Sequence, residues 1–292
     1  MFSYRHAFHA GNHGDVLKHA VLIACLRHLT QKDTGLTVID THAGAGLYRL
    51  DGDYARTSGE AADGVQRLAG ASALTPMLQD YLDVLRAFNA KGGLRIYPGS
   101  PFITQHLLRP QDRLKLFEIH PSDLPTLVRN VAQLEAGRQI TVLSEDGFEG
   151  IKKLLPPQPR RALLLCDPSY ELKSDYARVH AMLQEALKRF ATGCYAIWYP
   201  VIARPEAHEL PRRLKALAAR AGKPWLHATL TVKSARTRKL EDGSEQRAGL
   251  PGSGMFLVNP SYLLQEQLQA ALPQITQLLA QDDHAGHTLE AG

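Results

Sequence analysis

Cysteine is scarce in this chain. Its three residues, Cys25, Cys166 and Cys194, have neither zinc-site nor disulfide-framework spacing. Each lies in an apolar segment, which predicts buried, reduced thiols and a reducing compartment. No apolar run approaches the roughly 20 residues that span a bilayer. The first thirteen residues are polar and histidine-rich, without the apolar core of a secretory leader. A cytoplasmic protein with no membrane attachment is expected. There is no internal repeat and no low-complexity tract. Neither sign of charge dominates: 34 Lys and Arg stand against 29 Asp and Glu, a formal net charge of +5, which leans mildly towards an anionic partner. His6, His9, His13 and His19 cluster in sequence, but no Cys or acid completes a tight ligand set, so no metal is expected.

What is present is an ordinary globular composition, 44% hydrophobic and 22% charged over 292 residues, long enough for a sizeable core. Apolar spacing predicts a helix over 15–29, capped by Asn12 or Asp15. A β-branched run over 36–40 reads as the first strand. Two helices are predicted between about 59 and 90, the second opening at Pro76. A turn over 97–101 leads into a helix to 108. Strands follow over 114–119, 139–143 and up to Asp167, separated by helical segments. Beyond them come a helix over 174–190, a strand over 194–198, a helix over 205–220, strands over 225–232 and 255–258 that suit an antiparallel pair, and a helix over 260–280. The alternation implies an α/β, Rossmann-like fold with a mostly parallel central sheet and helices on both faces. Residues 1–50 and 97–280 form it, 51–96 are an inserted helical subdomain, and 281–292 are expected to be a flexible tail.

Chemistry concentrates at the predicted strand ends, the edge where open α/β sheets hold ligands. The first strand empties into Asp40-Thr41-His42-Ala43-Gly44-Ala45-Gly46. Its small residues, Gly44 and Gly46, let backbone amides approach a ligand. A dinucleotide fingerprint wants a third glycine where Arg49 stands, which weighs against a nicotinamide enzyme. Glu118, ending the next strand, is placed to accept ribose hydroxyls, and Asp146-Gly147 to meet an adenine edge. The run Leu163-Leu164-Leu165-Cys166 ends in Asp167-Pro168-Ser169-Tyr170. The Asp167 carboxylate and the Pro168 carbonyl can accept both hydrogens of an exocyclic amine, and Tyr170 offers a face for base stacking worth about 1–3 kcal/mol. Together they suit methyl transfer from S-adenosylmethionine, leaving S-adenosylhomocysteine, to an adenine amine that is unpaired or flipped. Alignment would supply much of the acceleration. An aspartate with an ordinary pKa near 3.9 is a weak base, so both a proton-removing and an orienting role stand open. Lys233, Arg236, Arg238, Lys239 and Arg247 surround a predicted loop that suits phosphate contact, Arg160 and Arg161 suggest a basic rim, and Arg56, Arg86 and Arg95 place charge on the insertion.

Asp-Pro-Ser-Tyr resembles the Asp/Asn-Pro-Pro-Tyr motif of adenine-N6 methyltransferases. More specific are the string Ser3-Tyr4-Arg5-His6-Ala7-Phe8-His9-Ala10-Gly11-Asn12-His13-Gly14-Asp15-Val16-Leu17-Lys18-His19, the loop 40–46, Tyr97-Pro98-Gly99-Ser100-Pro101, Glu118-Ile119-His120-Pro121-Ser122-Asp123 and Trp198-Tyr199-Pro200. Over residues 1 to about 260 the chain resembles the RlmJ family, bacterial 23S ribosomal RNA adenine-N6 methyltransferases. The resemblance implies a class I methyltransferase fold with a helical insertion. It implies that S-adenosylmethionine contacts His19, His42, Ser100, Glu118, Asp146, Gly147 and Asp167, that catalysis falls to Asp167, and that Tyr4 contacts substrate with His6 and Lys18 as helpers. The family's second proline is Ser169 here, which frees φ and restores an N–H. A monomer acting on protein-free 23S ribosomal RNA is expected. Rival readings are a DNA adenine-N6 methyltransferase, a protein-glutamine methyltransferase and a non-catalytic RNA-binding protein of the same fold.

Overall fold

The computed structural model describes residues 5–52, 59–235, 238–239, 245–246 and 249–292. After a short 3-10 turn at His6–Phe8, the elements run in chain order as α1 (His13–Leu29), β1 (Thr37–Asp40), β2 (Leu47–Arg49), α2 (Glu60–Asp63), α3 (Val65–Ala69), α4 (Pro76–Ala87), β3 (Ile96–Pro98), α5 (Ser100–Leu107), β4 (Arg113–Phe117), α6 (Asp123–Ala132), β5 (Ile140–Leu143), α7 (Gly147–Leu154), β6 (Ala162–Cys166), α8 (Ser174–Arg189), β7 (Cys194–Val201), α9 (Pro205–Arg220), β8 (Trp225–Thr231), β9 (Arg238–Lys239), β10 (Glu245–Gln246), β11 (Gly252–Val258), α10 (Leu264–Leu279) and β12 (Gly286–Ala291). Eight strands form one sheet in the order β12-β8-β11-β7-β6-β1-β4-β5. The pairs β7–β6, β6–β1, β1–β4 and β4–β5 are parallel, and β11 and β12 join antiparallel. This is the expected α/β architecture with a mostly parallel centre.

Both faces of the sheet are covered, so the central strands read as unbroken apolar runs rather than alternating ones. Alternate residues still divide between two cores. Val38, Leu114, Leu163 and Leu165 face α1, the insertion and α10. Ile39, Phe117, Leu164 and Cys166 face α7, α8 and α9. α1 is exceptional: every residue from His13 to Leu26 is buried, including Asp15, Lys18 and His19. Its N-terminus is capped by the Asn12 side chain, which accepts from the Asp15 amide at 2.9 Å, satisfying one of the free first-turn donors.

Among the described residues, the stretch expected to hold two helices carries three, α2, α3 and α4. It is closed at its neck by an antiparallel pair, Leu47 opposite Pro98 and Tyr48 opposite Tyr97, where only a turn was expected. Val65, Leu68, Tyr81 and Leu85 join the same core as α1 and α10. All three cysteines are buried and unbridged. No helix among the described residues is long and apolar enough to cross a membrane.

The expected flexible tail is instead a strand. β12 pairs with β8 from Gly286 opposite Thr231 to Ala291 opposite Leu226. Thr288 Oγ1 meets Thr229 Oγ1 at 2.7 Å and Lys215 donates to Glu290 at 2.8 Å. An edge strand is held by backbone pairing on one side only, so its polar residues stay solvated and leave no apolar signature. Removing residues 286–292 exposes the β8 edge and is expected to lower the melting temperature by roughly 5 °C or more on the scale for domains of this size. An unchanged melting curve for the truncated chain would show that β12 adds nothing.

Candidate active site

The parallel strands β1, β4, β5 and β6 all end at one sheet edge, and the loops beyond them line a cleft of about 320 Å³. β1 delivers Thr41, His42 and Gly44, β4 delivers Glu118, β5 leads to Asp146 and Gly147, and β6 leads to Asp167 and Pro168. His19 of α1 and Ser100 of α5 complete the wall. The cofactor residues expected from sequence therefore converge, apart from Gly46, which shapes the loop without lining the cleft.

Glu118 organises the glycine loop. Its carboxylate accepts from the amides of Gly44 at 2.7 Å, Ile119 at 2.8 Å and His120 at 2.7 Å. Burial still pushes its carboxyl above the usual range. Gly44 has φ +61°, and a Cβ there would lie 2.4 Å from the Tyr48 hydroxyl, so only glycine suits the position. Asp40 lies beneath the loop, wholly buried. Burial pushes its carboxyl up to about 6, against hydrogen bonds from Ser100 Oγ at 2.6 Å and the His42 amide at 3.2 Å. Burial pulls the His42 imidazole down to about 4, and it stands edge-on to Phe148 at 4.8 Å. Asp146 caps α7 by accepting from the Phe148 amide at 3.0 Å and pairs with Arg178 at 2.5 Å. Arg178, which sequence reading did not single out, lies 4.3 Å over the Phe148 ring and lines the cleft. Gly147 packs so closely that a Cβ would meet the Thr41 carbonyl oxygen at 2.1 Å.

His19 holds the Tyr97 hydroxyl at 2.7 Å through Nδ1. Its Nε2 is buried and has no hydrogen-bond partner among the described residues, an unsatisfied polar atom of the kind a ligand completes. Burial, reinforced by Lys18, holds this imidazole well below the usual histidine range.

Next to the cleft lies a second cavity of about 190 Å³, walled by His9, Asn12, Glu60, Trp198, Pro200 and Leu250 among others. His6, Lys18, Asp167, Pro168 and Ser169 line both cavities. At the junction Lys18 Nζ lies 2.5 Å from Asp167 Oδ2 and 2.8 Å from Asp15 Oδ1. Burial alone would lower this ammonium's pKa, but Asp15 and Asp167 reverse that and hold it above the usual lysine value. Asp15 also takes His6 Nε2 at 3.0 Å. Burial would raise its carboxyl, yet His6 and Lys18 hold it well below the usual carboxylate range.

Tyr170 departs from its expected role as a stacking plate. Its backbone is left-handed, φ +53°, which turns the side chain inward. The ring is 2% exposed, packs 4.7 Å from Tyr176 and donates from its hydroxyl to the Trp198 carbonyl at 2.6 Å. It lines neither cavity; the aromatic wall of the second one is Trp198. Tyr4 lies outside the described residues, as do Arg56 and the side chains of Arg236, Arg238, Lys239 and Arg247. Arg161 immediately precedes β6, at the sheet end opposite the cleft, and donates to the carbonyls of Leu29 and Thr34, while Arg160 lies over the Phe190 ring, so neither forms a rim of the site.

Comparison with known proteins finds relatives over nearly the whole chain. The family model described as "Ribosomal RNA large subunit methyltransferase D, RlmJ" matches residues 33–290. The Escherichia coli K12 protein named ribosomal RNA large subunit methyltransferase J is 43% identical over 273 residues, 94% of this chain and 92% of that one. Its Haemophilus influenzae namesake is 41% identical over 291 residues, 99% and 98% of the two chains. The crystal structure of protein LPL1258 from Legionella pneumophila superposes with a TM-score of 0.85 at 29% identity, covering 97% of this chain and 98% of that one. Fold, cleft and whole-length similarity agree, and the chain belongs to the RlmJ family of large-subunit ribosomal RNA methyltransferases.

Proposed function

We propose that this chain transfers the methyl group of S-adenosylmethionine to the N6 amine of an adenine in 23S ribosomal RNA. Family membership makes it an S-adenosylmethionine-dependent ribosomal RNA methyltransferase; the choice of adenine N6 is our reading of the site. The observation that carries it is the meeting of two cavities at Asp167, Pro168 and Lys18. The cleft fits the cofactor: it has room for a nucleoside, a carboxylate at the glycine loop in Glu118, and the unsatisfied Nε2 of His19. When bound, the cofactor supplies an electrophilic methyl group on its sulfonium.

The second cavity takes the flipped base, against Trp198. Asp167 Oδ2 is engaged by Lys18, which leaves Oδ1 to accept one amine hydrogen, while the Pro168 carbonyl accepts the other. Accepting both favours a pyramidal nitrogen whose lone pair is available for attack. Lys18 fixes the carboxylate's orientation, so the amine is held in line rather than found by diffusion. His6, lining both cavities, closes the junction from the N-terminal side; Tyr4 keeps its assignment as a substrate contact. Ser169 lines both cavities and leaves the Pro168 carbonyl in place. A monomer in the cytoplasm is part of the same reading, and three buried, unbridged cysteines suit that compartment.

An Asp167→Ala variant is expected to lose at least about 10²-fold in methyl transfer, the scale of a positioned acid–base group, read by tritium incorporation into a 23S transcript. Full activity would remove Asp167 from the mechanism. Preferential labelling of duplex DNA would replace RNA as the substrate.

The net charge of +5 is small for gripping a ribosome already coated with proteins. Naked 23S RNA is expected to be methylated at least tenfold faster than assembled large subunits, and the reverse order would overturn the protein-free assignment.

Asp40 gives a pH signature. Its folded value, about 6 against 3.8, means the folded chain keeps a proton that the unfolded chain has lost. Its contribution is fully present below about pH 4 and is lost as pH rises through 6. Asp40→Asn lacks that loss. The stability of the variant minus wild type is expected to rise by about 1 kcal/mol between about pH 5 and pH 7, measured by urea unfolding. A difference independent of pH would show that Asp40 does not titrate in this window.

A further inference from the structure

Asp15 is as buried as any core leucine, with 1% of its side chain exposed, yet no step above uses it. At first sight it is a first-turn acid of α1. Its partners are longer-range. Oδ1 lies 2.8 Å from Lys18 Nζ, one helical turn on, a spacing that puts both side chains on one face. Oδ2 accepts from the Gly11 amide at 2.8 Å and meets His6 Nε2 at 3.0 Å. One carboxylate therefore holds the cation that grips Asp167 and also the turn that brings His6 to the junction of the cavities.

We propose that Asp15 is a positioning residue for methyl transfer, acting through Lys18. The inference rests on the adenine-N6 reading above. An ammonium shared by two carboxylates, at 2.8 Å from Asp15 and 2.5 Å from Asp167, is fixed at both ends. Without Asp15 its stem is free to swing, and its whole charge falls on Asp167. The carboxylate that must accept the amine hydrogen then becomes a poorer acceptor in a poorer position. The Gly11 and His6 contacts tie the N-terminal segment to the same point, so the base cavity and the Lys18–Asp167 pair are set together.

The test is a double-mutant cycle on kcat, using Asp15→Asn, Lys18→Met and both together, with a 23S transcript as substrate and S-adenosylhomocysteine affinity read by calorimetry. Asparagine keeps the shape and the Gly11 hydrogen bond. Asp15→Asn is expected to lower kcat about 30-fold, with RNA KM and S-adenosylhomocysteine affinity within threefold of wild type. The double variant is expected to match Lys18→Met within threefold, because residues that act through one another do not add. Asp15→Glu keeps the charge and covers failure of the amide variant to fold. Its longer arm displaces Lys18 and is expected to cost about fivefold in kcat. Unchanged kcat in either Asp15 variant, a loss confined to KM or cofactor affinity, or losses that multiply in the double variant would each overturn the proposal. A wild-type chain that methylates no adenine N6 would instead remove the reaction on which it rests.

Discussion

The ammonium of Lys18 is the fixed point of this molecule. It sits within α1, a helix surrounded by protein, at the contact between two cavities. Burying a lysine is tolerable only where opposite charge and hydrogen bonds replace the lost water. Asp15 and Asp167 supply both. Lys18 and Asp167 lie 149 residues apart in sequence, so helix α1 and the loop after β6 can each take their place only when the other is there. Removing either acid leaves the cation short of a partner in a site that water scarcely reaches.

The two halves of the sheet divide the work around that point. The parallel half ends in the acids and glycines of the larger cleft. The antiparallel half adds the wall of the smaller one: Trp198 and Pro200 come from β7, and Leu250 precedes β11. β7 belongs to both halves, parallel to β6 and antiparallel to β11. A Rossmann-like sheet provides a nucleoside cleft at its strand ends. Here the end of β7 and the approach to β11, together with the N-terminal segment and Glu60, wall a second concavity alongside it.

Much of this was readable from residues alone, and the exceptions share a cause. Val38-Ile39-Asp40 and Leu163-Leu164-Leu165-Cys166-Asp167 announce buried strands that end in acids, because runs apolar on both faces have few other uses. Glu118 and Asp146 follow from the same logic. Tyr170 was misplaced because its burial depends on a left-handed backbone and on a carbonyl 28 residues away, neither of which leaves a local trace. Asp15 looked like a helix cap, since its long-range partners are brought by folding. Arg178 is an unremarkable helical arginine until α8 lies against Asp146. β12 was hidden because an edge strand needs no apolar pattern. The helical insertion was visible as helix without strand, but its β2–β3 neck, three residues a side, was too short to register.

The three hydroxyl and ring groups behind the cleft have a mechanical consequence. His19 on α1 holds the Tyr97 hydroxyl of β3, which in turn lies 3.1 Å from the Tyr81 hydroxyl of α4. All three side chains are buried, so this is a strut running from the back of the cleft into the insertion. A helix tethered in this way does not swing as an independent flap: tilting α4 would strip two buried hydroxyls of their partners in a place water cannot refill. Shifting the insertion against the sheet would therefore disturb the imidazole in the cleft wall as well as the neck.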